Sequence, residues 1–309
     1  MGKEYKKILV AGGSGFLGKS VIKKLKERNI NLVSLDLIDG YDFRDFGKTK
    51  KIIEKEKFDA LIHCAAYVGG IQFGYEHPAE LFYNNILMTT YLMEAARLAG
   101  VKRFVNPISN CVYPGSASLF KEEELWDGPM HESVASYGIA KKAGLAQGQA
   151  YWKQYGFDSV HLILPNMYGP GDHFEEIKSH ALGALIMKFE EAKRKNIPEV
   201  IVWGTGKPIR EWLYVEDGAE ALVRALFIDS HNEPVNIGIG RGISIAELAD
   251  LIKDAVRYDG KIVFDPSKPD GAPTKTMEIS KMRKIFDWEP KVQLEDGIKK
   301  TVEYYKNNF

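Results

Sequence analysis

Cysteine is nearly absent from this 309-residue chain: only Cys64 and Cys111 occur, and they do not form a CxxC pair. That excludes a disulfide framework and a cysteine-rich zinc site, and each thiol needs its own explanation. No cluster of histidine, cysteine and carboxylate at ligand spacing stands out, so no metal is expected. An excess of one charge is also missing, because 42 Lys and Arg balance 42 Asp and Glu. With no net field to draw the chain to nucleic acid or to an anionic membrane, neither is expected as a partner. No stretch approaches the roughly 20 apolar residues that span a bilayer. The opening MGKEYKKILVAGG lacks the apolar run of a signal peptide, and a cytoplasmic protein is expected. What remains is 45% hydrophobic and 27% charged, the composition of a globular chain able to bury one large core or two modest ones.

Short β-branched runs alternate with helical patterns: KILVAG, GKSVIKKLKERN, NLVSLD, DALIHCAA, AELFYNNILMTTYLMEAARLAG and RFVNPIS follow in that order. Such alternation predicts right-handed βαβ units and an α/β, Rossmann-type doubly wound parallel sheet. From about residue 170 the rhythm changes. The tract AKRKNIPEVIVWGTGKPIREW reads as a charged helix, and the C-terminal part is rich in Lys, Asp and Pro. The expected organisation is a dinucleotide-binding domain of residues 1–169 and 211–239, and a smaller, largely C-terminal domain of residues 170–210 and 240–309. VNIGIG, at 235–240, reads as one more strand returning near the first sheet.

ILVAGGSGFLG, residues 8–18, runs from a strand into Gly12, Gly15 and Gly18 and then into a helix. Glycines there permit a tight turn and let backbone N–H groups approach a pyrophosphate at the positive end of a helix. A plain strand-to-helix turn is the alternative, but the strand before and the helix after favour a cofactor. The next strand ends in Asp36, where an acid would accept the ribose hydroxyls and repel a 2′-phosphate. NAD(H) is therefore favoured over NADP(H); an aspartate solvated in a turn is the competing reading. Further on, SYGIAKK places Tyr137 and Lys141 four residues apart on one helix face, after Ser109 at a strand end. A neighbouring ammonium and a nicotinium charge would favour the phenolate of Tyr137, which could then exchange a proton near neutrality. Spacing alone would allow a surface ion pair; the position after a glycine loop supplies the weight.

These residues, with NMYGPGD, WGTGKPIREWLYVED and VNIG, resemble the extended short-chain dehydrogenase/reductases, the NAD-dependent epimerase/dehydratase family that modifies nucleotide sugars. The resemblance covers essentially the whole chain. YVGGIQF, SNCVYP, the KSH of 178–180, VIVWGTGKPIRE and SKPDGAPTK are most similar to the branch of GDP-L-fucose synthases, which epimerise C3 and C5 and reduce C4 of a GDP-4-keto-6-deoxyhexose. The resemblance implies Cys111 as base and His180 as acid for epimerisation, because a C4 ketone acidifies the protons on C3 and C5. It implies that Tyr137 protonates O4, that Ser109 holds the same oxygen and that Lys141 tunes the phenol and binds nicotinamide ribose. Cofactor contacts carried over are Gly12, Gly13, Ser14, Gly15, Phe16, Leu17, Gly18, Asp36, Ala65, Ala66, Ile108, Lys141, Leu164, Asn166 and His180. Lys188, Trp203, Arg210 and Asp270 match contacts to a GDP-sugar, and a homodimer is implied. Cys64 has no such company and is assigned to the core.

The sequence departs from that branch where it matters for the cofactor. Ser14 and Asp36 stand where NADPH-dependent members carry basic residues, so NADP(H) remains possible from the resemblance while NAD(H) is favoured by the residues. Asn110 replaces a serine and Lys188 an arginine, which bears on the sugar. Two rivals stay open: an NAD-dependent nucleotide-sugar epimerase or dehydratase that retains NAD with no net redox change, and a dinucleotide-binding regulatory protein.

Overall fold

The computed structural model describes residues 4–175, 179, 181–229 and 232–309. The chain opens with β1 (Ile8–Ala11), α1 (Phe16–Glu27), β2 (Leu32–Leu35), α2 (Phe46–Glu56) and β3 (Ala60–His63). It continues through α3 (Ile71–Glu76), α4 (Pro78–Leu98), β4 (Arg103–Ser109), α5 (Ala135–Tyr155), β5 (Ser159–Leu164) and β6 (Asn166–Tyr168). Then come α6 (Ala181–Arg194), β7 (Glu199–Trp203), β8 (Ile209–Arg210), β9 (Trp212–Tyr214), α7 (Val215–Arg224) and β10 (Pro234–Asn236). The last stretch holds β11 (Ile243–Ser244), α8 (Ile245–Val256), β12 (Lys261–Asp265), β13 (Thr274–Lys275), α9 (Ser280–Phe286) and α10 (Leu294–Asn308).

Six strands form one parallel sheet in the order β10-β5-β4-β3-β1-β2. Its four inner strands are buried on both faces, which is why they read as near-continuous apolar runs. Ile8 and Val10 face one layer with Val21 and Leu25 of α1 and Leu222 of α7. Leu9 and Ala11 face the opposite layer with Ile53 of α2 and Leu92, Met93 and Ala96 of α4. The sheet is therefore doubly wound, as the alternation predicts. Because β1 is flanked by β2 and β3, the crossovers diverge there and leave a crevice at the carboxyl ends of the strands.

A second core joins Leu182, Ile186 and Phe189 of α6 to Leu248 and Ile252 of α8, Ile298 and Val302 of α10, and Val200 and Val202 of β7. The expected charged helix over 192–212 is a correction. α6 stops at Arg194, and Glu199–Trp203 forms β7, paired in parallel with β12. Pro198 breaks the helix, and EVIVW alternates exposed and buried side chains as a half-buried strand does. β10 pairs with β5 in the main sheet, so VNIG returns to it. Among the described residues no helix is long and apolar enough to cross a membrane.

Candidate active site

At the crevice the chain turns on glycine for steric reasons. Gly12 sits at φ +80, and a Cβ there would lie 2.5 Å from the Ala65 backbone N. On Gly18 a Cβ would lie 2.1 Å from the Gly12 carbonyl O, so α1 can begin this close to β1 only without a side chain. Gly15 caps α1 with no side-chain hydrogen bond, leaving first-turn amides for a ligand. This cradle fits a dinucleotide pyrophosphate. Behind it Asp36, 4% exposed, accepts hydrogen bonds from Ser14 N (3.0 Å) and Ser14 Oγ (2.6 Å) on Oδ1 and from Ser34 Oγ (2.8 Å) on Oδ2. The carboxylate is fixed at the end of β2, with neutral hydroxyls as its partners.

A cavity of about 440 Å³ opens from this loop and runs between the two cores. Gly15, Phe16, Leu17, Ala66, Ile108, Leu164 and Asn166 line it. Ser109, Cys111, Tyr137 and Lys141 line it as well, and so do Lys188, Trp203, Arg210 and Asp270. Ser109 ends β4 in register with Leu164, and its Oγ accepts from Cys111 N at 3.2 Å, which pins the turn that presents the thiol. Gly138 lets α5 press on that turn, since a Cβ there would lie 2.6 Å from the Cys111 carbonyl O. One helical turn separates Tyr137 from Lys141, whose Nζ lies 5.7 Å from the phenol ring centre.

Burial pushes the Tyr137 phenol above its ordinary value, with Cys111 as a second contributor. In the protein without a dinucleotide burial therefore holds the phenol in its protonated form, and the nicotinium charge that the expected phenolate needs enters only with the cofactor. Burial also lowers the Lys141 ammonium to about 8, against a smaller opposing effect of Cys64. Cys64 is half-buried, packs on the core and also lines the cavity, so it is not purely a core residue. Its thiol is pushed up to about 12 by burial, which leaves it without thiolate character.

The residues matched to the GDP-sugar are more engaged than expected. Arg210 donates to the Asp270 carbonyl O at 3.1 Å, and burial lowers its guanidinium to about 10. The Asp270 carboxylate accepts from Thr205 N at 2.7 Å and Thr205 Oγ1 at 2.8 Å. Trp203 carries Lys188 Nζ 4.9 Å and Lys268 Nζ 5.2 Å from its ring centre.

The family model for the NAD dependent epimerase/dehydratase family matches residues 8–238. The chain belongs to this epimerase/dehydratase family. A putative GDP-L-fucose synthase 2 of Arabidopsis thaliana is 39% identical over 98% of this chain and 92% of its own. Among solved structures, a GDP-6-OMe-4-keto-L-xylo-heptose reductase from C. jejuni superposes with a TM-score of 0.93 at 29% identity, covering 100% of both chains. A GDP-L-fucose synthetase from Naegleria fowleri bound to NADP gives a TM-score of 0.87 at 30% identity over 98% of this chain and 94% of that one.

In this epimerase/dehydratase chain the cavity gathers the described residues singled out for catalysis and for the sugar; His180 lies outside the described residues. Two lining residues escaped the sequence. Lys275, 8% exposed, donates to Cys111 Sγ at 3.4 Å. It stands across from Arg210 in the parallel β13–β8 pair, a juxtaposition of two-residue strands that no local pattern announces. Asp172, also 8% exposed, ends the quoted NMYGPGD string, and nothing in its spacing marks it as more than a turn residue.

Proposed function

We propose that this epimerase/dehydratase family member is a GDP-L-fucose synthase-like enzyme, inverting C3 and C5 and reducing C4 of a GDP-4-keto-6-deoxyhexose with NAD(P)H. The observation that carries this reading is the single cavity in which Cys111 lies beside Tyr137, Lys141 and Ser109. When bound, the cofactor supplies the hydride for C4. Ser109 Oγ holds the ketone oxygen, and the protonated Tyr137 gives O4 its proton, with the Lys141 ammonium stabilising the phenolate left behind. Cys111 takes the C3 and C5 protons, and His180 returns protons from the opposite face. Lys275 lies against the Cys111 sulfur. Arg210 offers a planar fork to the diphosphate, and Lys188 and Trp203 meet the nucleotide end. Residues 1–169 and 211–239 would serve the cofactor, and 170–210 and 240–309 the GDP-sugar.

The Asp36 carboxylate favours NADH, because the 2′-phosphate of NADPH would face a negative charge held by Ser14 and Ser34. The end of β2 would thus read a neutral ribose, and Arg210 an anionic diphosphate. A GDP-4-keto-heptose is the second reading of the sugar, favoured by the full-length likeness to the heptose reductase. Incubation of the purified protein with each GDP-4-keto-sugar and NADH or NADPH tests the reading. Cofactor oxidation with the 6-deoxyhexose and product inverted at C3 and C5 is expected. No turnover with either reduced cofactor, together with tightly retained NAD, would overturn it in favour of an enzyme without net redox change.

A further inference from the structure

Between Asn166 and α6 the chain carries Asp172 into the cavity wall, 8% exposed. Its Oδ1 accepts from His173 N at 2.8 Å, whereas Oδ2 is buried and has no hydrogen-bond partner. A buried carboxylate oxygen left without a donor is costly, on the order of 1–3 kcal/mol, so native structures usually supply a donor from elsewhere. Capping of α6 does not supply it. Oδ2 lies 3.6 Å from the place a Cβ on Gly183 would occupy, over the first turn of that helix, and still receives no amide hydrogen.

The rest of the cavity says what the donor is. Among the described lining residues only Asp172 and Asp270 carry carboxylates, and both oxygens of Asp270 are taken by Thr205. The cations are Lys141, Lys188, Arg210 and Lys275, a set suited to a diphosphate. Oδ2 of Asp172 is therefore the carboxyl oxygen among the described lining residues that has no donor at all, and a hydroxyl can supply one where an ionised phosphate cannot. Its place in the chain follows Leu164, which is in register with Ser109 at the reaction end. Gly183, beside it, precedes Lys188 by five residues, about 7.5 Å of helix toward the Trp203 end. In the GDP-sugar reading the glycosyl ring lies between the reacting centre and the diphosphate, and Asp172 lines the cavity that would hold both.

We propose that Asp172 is a specificity-determining residue whose Oδ2 accepts a hydrogen bond from a ring hydroxyl of the sugar carried by GDP. The inference rests on the GDP-sugar reading above. Hydroxyls of the hexose and of the nucleotide or cofactor ribose share this chemistry, and the choice of ligands separates them.

Calorimetry on the full chain would compare GDP-mannose, GDP and NADH as probes for wild type, Asp172→Asn and Asp172→Ala. Asn keeps an oxygen for His173 N and puts an N–H where Oδ2 was. The expected result is a loss of about tenfold for GDP-mannose in both variants, the size of one well-formed buried hydrogen bond, with GDP and NADH changed less than about twofold. A wild-type measurement guards against a variant that does not fold: 2-deoxy or 3-deoxy analogues of the mannosyl group should bind about tenfold more weakly than GDP-mannose at one of the two positions. In Asp172→Asn that same deoxygenation should cost nothing. Equal losses for GDP and GDP-mannose would move the contact to the nucleotide ribose, and a loss confined to NADH would move it to the cofactor; either overturns the proposal. So does deoxygenation at full cost in the variant, or at none in the wild type. If wild type binds neither GDP nor GDP-mannose, the GDP-sugar reading itself has failed and this inference with it.

Discussion

Tyr137 and Lys141 carry opposite consequences of the same burial. The phenol is held protonated, ready to give a proton, and the ammonium is lowered to about 8, so its charge is the fragile element near neutral pH. If Lys141 must be charged for reduction, kcat/KM is fully present below about pH 8 and falls as pH rises through that value. A pH profile of reduction checks this, and Lys141→Arg should move the descending limb upward because a guanidinium keeps its proton. Tyr137→Phe removes the proton donor to O4 and should slow reduction by about 10² to 10⁴-fold, measured as single-turnover cofactor oxidation. At the same time it should leave deuterium uptake at C3 and C5 within a few-fold. Lys275→Met should act the other way. Its Nζ is 3.4 Å from Cys111 Sγ, so proton exchange should fall at least about tenfold while reduction of an already epimerised substrate changes little.

At the scale of elements, the glycine loop and the end of β2 carry the proposed cofactor choice. Gly18→Ala would drive a methyl to 2.1 Å from the Gly12 carbonyl, which is backbone and cannot swing aside. The expected cost is about 1–3 kcal/mol of stability and a clear loss of NADH binding, read by thermal unfolding with and without cofactor. NADH should bind at least about tenfold, roughly 1.4 kcal/mol, more tightly than NADPH, and Asp36→Ala should shrink that ratio. These features were legible because they are local: the strand, three glycines at three-residue spacing, and an acid at the next strand end lie within 36 residues. β7 was misread as helix because Lys and Arg upstream extend a helical pattern. The signals that decide it were Pro198 and the Val200–Val202 alternation. The pairing of β8 with β11 and β13 was invisible, since two-residue strands brought together across more than 30 residues leave no periodicity to read. Lys275 could not be placed beside Cys111 without that pairing, and Asp172 is marked only by a buried Oδ2 that has no donor.

For the whole molecule, α4 and α5 pack on each other and leave Phe82, Tyr83, Leu98, Trp152 and Tyr155 exposed, with Tyr83 at 60%. A homodimer through these helices is the expected assembly. Light scattering at micromolar concentration should give twice the chain mass, and Tyr83→Glu should shift it toward the monomer; a wild-type monomer would contradict this. One cavity is proposed to do two separable jobs, moving C–H protons with Cys111 and delivering hydride with Tyr137 as the proton donor. Nuclear magnetic resonance of the product formed in heavy water by Cys111→Ser separates them. Wild type should place deuterium at C3 and C5 before reduction, whereas the variant should reduce C4 and leave both positions unlabelled and uninverted. Exchange at both carbons by Cys111→Ser at the wild-type rate would contradict it, and would leave the thiol as packing beside Lys275.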